Sequence, residues 1–301
     1  MNNITKLNIL LVFIIAFSII FVLDNNILIS QLRIPKLISI YIIGSAIGVS
    51  SIVFQSITNN RILTPEIIGF DSLYLFIQSL TVFILPQLMY TNTLYIINIL
   101  IMSTLSVLVF RYILKRYTLY KLLLIGIIIG ILLRSISTLL ISIMSPNTFD
   151  ILQTSMFANF SIIKLELLPI SIIVVIVVVS IFLNMKNELD AYSLGNKMSH
   201  SIGLDTTGTF KKSIFLISIL VAVSVATIGP ISFLGLFIAN ITKTIFDTYK
   251  HSILIPGSIY VGILLLIISV YLDDRIFVYT NLPIVLDGLG SMYFIYLCIR
   301  R

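Results

Sequence analysis

Long apolar runs separated by short polar stretches set the pattern of this chain. Crossing a hydrocarbon core of about 30 Å as a helix takes about 20 apolar residues. Runs of that kind predict ten spans, at roughly 6–23, 35–57, 67–86, 93–113, 119–143, 163–184, 210–228, 231–246, 253–272 and 282–299. The run at 231–246 is short. Gly229-Pro230 separates it from the span before it, and one helix over 210–246 would be too long for a single crossing. A weaker stretch, 148–160, predicts a short re-entrant or surface helix. The first run, from Lys6 to Leu23, has no clear small-x-small cleavage site and exceeds the apolar region of about 7–15 residues in a signal peptide, so it reads as a retained span.

Composition agrees with this pattern. Of 301 residues, 58% are hydrophobic and 10% charged, and mean hydropathy is +1.14. Soluble domains carry about 25% charged residues, so an ordinary soluble enzyme, a disordered chain and a disulfide scaffold are excluded. The single cysteine, Cys298, permits no intramolecular disulfide and no thiolate metal cluster. Two histidines, His200 and His251, are too few for a histidine metal site without carboxylates. The expectation is an all-α integral membrane protein, one transmembrane domain over 1–301, with no metal and no cofactor.

The net charge of +7 reads as a topology signal. With the N-terminus inside and ten crossings, the inner side collects Lys6, Arg61, Arg111, Lys115, Arg116, Lys121, Lys186, Lys197, Lys211, Lys212, Lys243, Lys250, Arg300 and Arg301. The outer side collects Arg33, Lys36, Lys164 and Arg275. Basic residues favour the cytoplasmic side, so both termini are expected there, in a multi-pass plasma-membrane protein with no nucleic-acid partner.

One inner connection is long. The stretch 185–209 carries Leu189, Ala191, Leu194, Met198 and Ile202 at spacings mostly of three or four, one face of an amphipathic helix punctuated by Gly195 and Gly203. Such a helix either lies on the membrane or docks to a partner. Its mixed charge disfavours a lipid anchor and favours docking.

Two segments resemble one another: 36–50 and 212–226 both open on a lysine and run through small residues. Each is followed by proline and then glycine, Pro65 and Gly69 in one case, Pro230 and Gly235 in the other. They run in opposite directions in this topology, which suits an inverted repeat; chance similarity of apolar segments is the other reading.

No Walker A motif occurs, nor H-E-x-x-H, G-x-S-x-G or G-x-G-x-x-G. The chain reads as no enzyme, and any uphill transport must draw energy from another subunit or an ion gradient. Ionisable residues inside spans are functional candidates. Arg134, near mid-membrane, is either a pathway cation that attracts an anion or the partner of an acid such as Asp71 or Asp287. Asp71, near a span end, reads as solvated or capping. Gly44 with Gly48, and Gly126 with Gly130, are spaced for close helix approach or, secondarily, for lining a path.

The run Arg33-Ile34-Pro35-Lys36 through Gly44, Gln55 and Asn59 to Thr64-Pro65-Glu66-Ile67-Ile68-Gly69 resembles the second and third spans of FecCD-type permeases. These are membrane subunits of bacterial ABC importers for iron–siderophore complexes, haem and vitamin B12. Residues 194–203, Leu194-Gly195-Asn196-Lys197-Met198-Ser199-His200-Ser201-Ile202-Gly203, are similar to the family's L-G-x-x-x-A-x-x-L-G coupling segment, with Ser199 and Ile202 as substitutions. Gly229-Pro230-Ile231-Ser232-Phe233-Leu234-Gly235-Leu236 is similar to its G-P-I-x-F-x-G-L signature.

The resemblance covers nearly the whole chain. It implies the type II ABC importer permease fold of about ten helices, working as a permease dimer with itself or a sibling. Two copies of an ABC ATPase subunit and an extracytoplasmic siderophore-binding protein would complete the importer. Leu194, Gly195, Lys197, Met198, Ser201, Ile202 and Gly203 would couple to the ATPase. Tyr117, Thr118 and Leu119 would help form the inner gate, with Gly126, Gly130 and Arg134 on a path-lining span. Pro65, Gly69, Gly229, Pro230, Phe233 and Gly235 are the structural motif positions.

The sequence departs from the family's common P-H-x-x-R at Ala239-Asn240-Ile241-Thr242-Lys243, from N-P-L-A-x-P at Asn60-Arg61-Ile62-Leu63-Thr64-Pro65, and from G-A-P at Asp287-Gly288-Leu289-Gly290. These departures look like a branch serving catecholate-type or related ferric siderophores and argue against vitamin B12. The rival is a secondary transporter driven by an ion gradient, which would need Asp71 and Asp287 as coupling carboxylates.

Overall fold

The computed structural model describes residues 2–23, 27–85, 93, 96–105, 108, 119–146, 148–149, 152, 160, 165–275 and 292. Among them there is helix and no strand. A backbone in lipid has to satisfy its own polar groups, and helices do so within one segment. The elements are α1 (Asn3–Val22), α2 (Ile27–Ile57), α3 (Phe70–Ile84), α4 (Ile96–Leu105), α5 (Leu119–Ser142), α6 (Leu168–Asn184), α7 (Lys186–Tyr192), α8 (Asn196–Ser201), α9 (Thr206–Ile228), α10 (Leu234–Phe246) and α11 (His251–Arg275).

Among the described residues five helices, α1, α2, α5, α9 and α11, are long and apolar enough to cross a membrane. α6 and α7 pass the same test only when taken together, across a 60° bend between them, and α7 belongs to the polar connection after the span. Three shorter apolar helices are α3, α4 and α10. Apart from Met292, span ten, 282–299, lies outside the described residues, as does most of 148–160.

The helix that carries span two begins earlier than the apolar run indicates. α2 starts at Ile27 and carries Pro35 inside it. Arg33, which hydropathy places beyond the span, is buried on this extension. Its Nη1 donates to the Phe21 carbonyl at 3.1 Å, and its guanidinium stands 5.9 Å from the Phe21 ring. This cation–π contact and hydrogen bond compensate the charge and fix the end of α1 against the start of α2.

The helices share a composition but not a position. α2 and α9 are mostly buried, whereas α1 and α5 are mostly exposed apolar surface. The centre is α2 packed on α9, α11 and α10, with α1 laid against α11. α2 and α11 cross in close contact. A Cβ on Gly44 would stand 2.7 Å from the backbone N of Ile263, one on Gly48 2.5 Å from the Ser258 carbonyl oxygen, and one on Gly262 2.4 Å from the Gly44 oxygen. Lipid tails are as apolar as the helices, so backbone proximity and dispersion, more than hydrophobic burial, hold such a pair together.

Contacts at one end of the bundle join the start of α1, the ends of α2 and α10, and the start of α11 with α7. Lys6 donates to the Ile245 carbonyl, and Ser56 and Asp190 meet His251.

The two proline–glycine stretches occupy matching places. Each follows a long, mostly buried helix (α2 or α9) and precedes a short one (α3 or α10). At about 1.5 Å per residue, α10 with 13 residues spans about 20 Å, less than a hydrocarbon core. Most of the irregular residues at 63–69 and 229–233 are buried in protein, the setting in which non-helical backbone is tolerated at membrane depth.

Candidate coupling and pathway site

The 185–209 stretch does not form the single amphipathic helix its spacing predicts. It breaks at Gly195, whose φ of +94° an L side chain would strain. α7 and α8 result, and the apolar face is divided between them. Leu189 is fully buried in the main core. Leu194, Met198 and Ile202 point the other way, 51%, 65% and 63% exposed. A second positive-φ glycine, Gly203, ends the unit.

Ser199 locks the turn. It is fully buried, and its hydroxyl lies 2.7 Å from the Ala191 carbonyl and 2.8 Å from that of Gly195. The substitution from the family's alanine therefore adds a hydroxyl that bonds carbonyls near the ends of the short helices. Ser201 is exposed at the end of α8. For Lys197 only the backbone, in α8, is described. The following helix, α9, opens on Asp205, whose Oδ1 accepts from the Gly208 N–H at 3.0 Å and the Thr207 hydroxyl at 2.8 Å. The Gly208 N–H and then the Thr207 hydroxyl hold this exposed carboxyl below its ordinary range.

A polar chain that sequence reasoning missed fastens α7 to the bundle. Asp190 Oδ1 accepts the backbone N–H of His251 at 2.7 Å and meets its Nδ1 at 2.6 Å. On the other edge of the ring, Nε2 meets Ser56 Oγ at 2.8 Å. His251 is buried, as is Ser56. Burial works against the charge of Asp190. The His251 ring, its backbone N–H and the positive charge nearby outweigh that and hold the carboxyl below its ordinary range. Composition set His251 aside as unfit for a metal site, and no spacing signal links residues 61 and 195 positions apart.

A second missed cluster lies beside it. Lys243 Nζ donates to Gln55 Oε1 at 2.9 Å, and Gln55 Nε2 donates to the Arg61 carbonyl at 2.6 Å. Asn240 Nδ2 reaches the same carbonyl at 3.2 Å. Positions 240, 243 and 61 all lie in stretches that depart from the family pattern, and here they are cross-linked to one another. The departures in the two motifs thus belong to one local network.

The proline–glycine motifs also meet. Gly235, at the start of α10, faces Ser51 and Glu66: a Cβ there would stand 2.1 Å from Ser51 Oγ and 2.9 Å from Glu66 Oε2. Pro65 sits in the buried turn before α3, Gly69 caps that helix at φ +90°, and Gly229 ends α9 at φ +99° before Pro230. Phe233 is left-handed at φ +58° without being glycine, a conformation that costs about 1–2 kcal/mol.

On α5, Gly126 and Gly130 are both buried against the turn before α3. A Cβ on Gly126 would stand 2.4 Å from Ile68 Cγ2, and one on Gly130 3.2 Å from Gly69 Cα. Arg134 continues this stripe one turn on and is exposed, near enough to Asp71 for its charge to act there. Of the two readings of Asp71, solvated or capping, burial removes the first. The residue is 4% exposed, because α3 begins inside the protein, and its Oδ1 accepts the Ser72 N–H at 2.8 Å. Tyr117 and Thr118 lie outside the described residues, as do the side chain of Leu119 and Asp287. Among the described residues no group of three or more His, Cys, Asp or Glu could hold a metal.

The fold is similar to that of a solved structure described as an inward-facing metal-chelate type ABC transporter, with a TM-score of 0.84 over 99% of each chain at 22% identity. The petrobactin import system permease protein YclO of Bacillus subtilis is 36% identical, over 89% of this chain and 88% of its own. The petrobactin import system permease protein FatC of Bacillus anthracis is 31% identical, over 89% and 78%. The model of the FecCD transport family matches residues 3–300. With its all-helical fold and both signature segments, the chain belongs to the FecCD transport family, a membrane-embedded transporter permease and not an enzyme.

Proposed function

We propose that this permease passes a ferric siderophore, of the catecholate type, into the cytoplasm as the membrane subunit of an ABC importer. Separate ATPase subunits supply the energy and an extracytoplasmic binding protein delivers the cargo. The observation that carries the reading is the outward set of Leu194, Met198 and Ile202 on a glycine-bracketed turn that Ser199 holds rigid. Three exposed apolar side chains on a fixed polar scaffold are what a groove in a soluble partner would take up. The petrobactin names of two relatives support a siderophore as substrate. The basic residues at the Lys6 end support placing that end, both termini and the coupling segment in the cytoplasm. Ten spans complete the topology, the tenth at 282–299, in a permease dimer. Arg134, exposed one turn beyond Gly130 on α5, stands on the path in this reading, and Gly126 and Gly130 are helix contacts that bound it.

Proteoliposomes containing the permease, its ATPase and its binding protein test this directly with petrobactin loaded with radioactive iron. Import should require ATP and cease when Leu194, Met198 and Ile202 are all replaced by serine. Full-rate uptake without ATP would overturn the importer reading. Loss of uptake in D71N with ATP present and an ion gradient imposed would favour the gradient-driven rival.

A further inference from the structure

We propose that Asp190, His251 and Ser56 form the strut through which movement of the coupling segment reaches the transmembrane helices α2 and α11; this rests on the coupling role given to residues 194–203 above. The segment is stiff within itself, because Ser199 bonds the carbonyls of Ala191 and Gly195. A stiff body transmits displacement only through what attaches it. Leu189 anchors α7 by packing, buried in the core. The directional attachment is Asp190, which takes both the backbone N–H and the ring of His251, the first residue of α11. The opposite ring nitrogen meets Ser56, one residue from the end of α2.

The hydrogen bonding closes in either state of the ring. A neutral ring donates from Nδ1 to Asp190 and accepts the Ser56 hydroxyl at Nε2. A protonated ring donates from both nitrogens, and Ser56 turns its hydroxyl to the Ile52 carbonyl, 2.9 Å away. The strut is therefore a mechanical link in both forms. What it pushes is also stiff. α2 and α11 touch backbone to backbone through Gly44, Gly48 and Gly262, with no side chain between them to yield, and packed interiors compress little. His251 thus acts as a positioning residue: it touches no cargo and places two helices relative to the ATPase contact.

The test uses the full chain with its ATPase and binding protein in proteoliposomes, and three readouts. The first is co-purification of the ATPase. The second is ATP hydrolysed per iron imported as ferric petrobactin. The third is the distance between spin labels at Leu272 on α11 and Ile176 on α6, in a C298S background, before and after vanadate trapping. H251A should co-purify its ATPase like the wild type, yet hydrolyse about tenfold more ATP per iron and lose the vanadate-dependent distance change. S56A removes one oxygen and tests the same link should H251A fold poorly. H251N keeps a donor toward Asp190 while losing the Ser56 side, so it should match S56A.

Unchanged coupling and distance response in H251A would overturn the strut. So would loss of ATPase association in H251A, which would make these residues a docking element. Wild-type protein that fails to import petrobactin but still shows the distance change would sink the substrate reading and leave the strut standing. Wild-type protein that captures no ATPase would overturn the coupling role and the strut with it.

Discussion

Gly69 and Gly130 meet backbone to backbone: a Cβ on Gly69 would stand 2.8 Å from the Gly130 Cα. Gly69 starts α3 in the left-handed region at φ +90°, and Gly130 lies midway along α5, so this contact sets how deeply α3 enters the bundle beside α5. The two positions differ in what a side chain would cost. Gly130→Ala meets its nearest neighbour, the Gly69 Cα, at 3.2 Å, a crowding that a shift of a few tenths of an ångström relieves and that about 1 kcal/mol of helix propensity offsets. Gly69→Ala meets crowding and adds about 1–2 kcal/mol for an L residue in the left-handed region. Thermal unfolding in detergent should place G69A below both the wild type and G130A. Equal midpoints for all three would show that the contact is not tight.

The bond between Lys243 and Gln55 should be asymmetric. Gln55→Leu leaves a half-buried ammonium without its acceptor, whereas Lys243→Met removes the charge and leaves only an amide oxygen. Each should cost about 1–3 kcal/mol, with Q55L the worse. The double variant should cost less than the sum, because the orphaned charge is gone. Additive losses in a thermal-shift series would rule out a direct link.

Leu194, Met198 and Ile202 should matter to the partner and not to the fold. They are exposed, so replacing each with serine should change the unfolding free energy by no more than about 0.5 kcal/mol. Capture of the ATPase subunit on an affinity resin should nevertheless fall sharply. A destabilised triple variant, or one that binds the ATPase normally, would contradict this division of labour.

Asp190 should make stability depend on acid. Its folded carboxyl sits below the ordinary aspartate value, near 3.9 in the unfolded chain, to within about a unit. The unfolded state therefore takes up the proton first as pH falls. The stabilisation is present above the unfolded value and disappears as pH drops through the folded one. The gap in melting temperature between the wild type and D190N should be full near neutrality and close progressively below about pH 4. A gap that widens on acidification would contradict the sign.

The amino-acid sequence by itself determined that this chain lives in a membrane and which family it joins. Hydrocarbon imposes a length and a composition on anything that crosses it, and both are properties of consecutive residues. Motif glycines and prolines are equally local, because a positive φ at Gly195 or a helix start after Pro65 is a property of one residue.

Tertiary structure decided the rest. α1 and α2 are both apolar, yet one is mostly exposed and the other mostly buried. In water a polar face would have marked the outside. In lipid both faces are apolar, so periodicity carries little of that information. Dividing Leu189 from Leu194, Met198 and Ile202 took a backbone break that helical spacing ignores. Ser56, Asp190 and His251 stand far apart along the chain, and only the packing of α2, α7 and α11 at one end of the bundle brought their polar atoms within hydrogen-bonding reach.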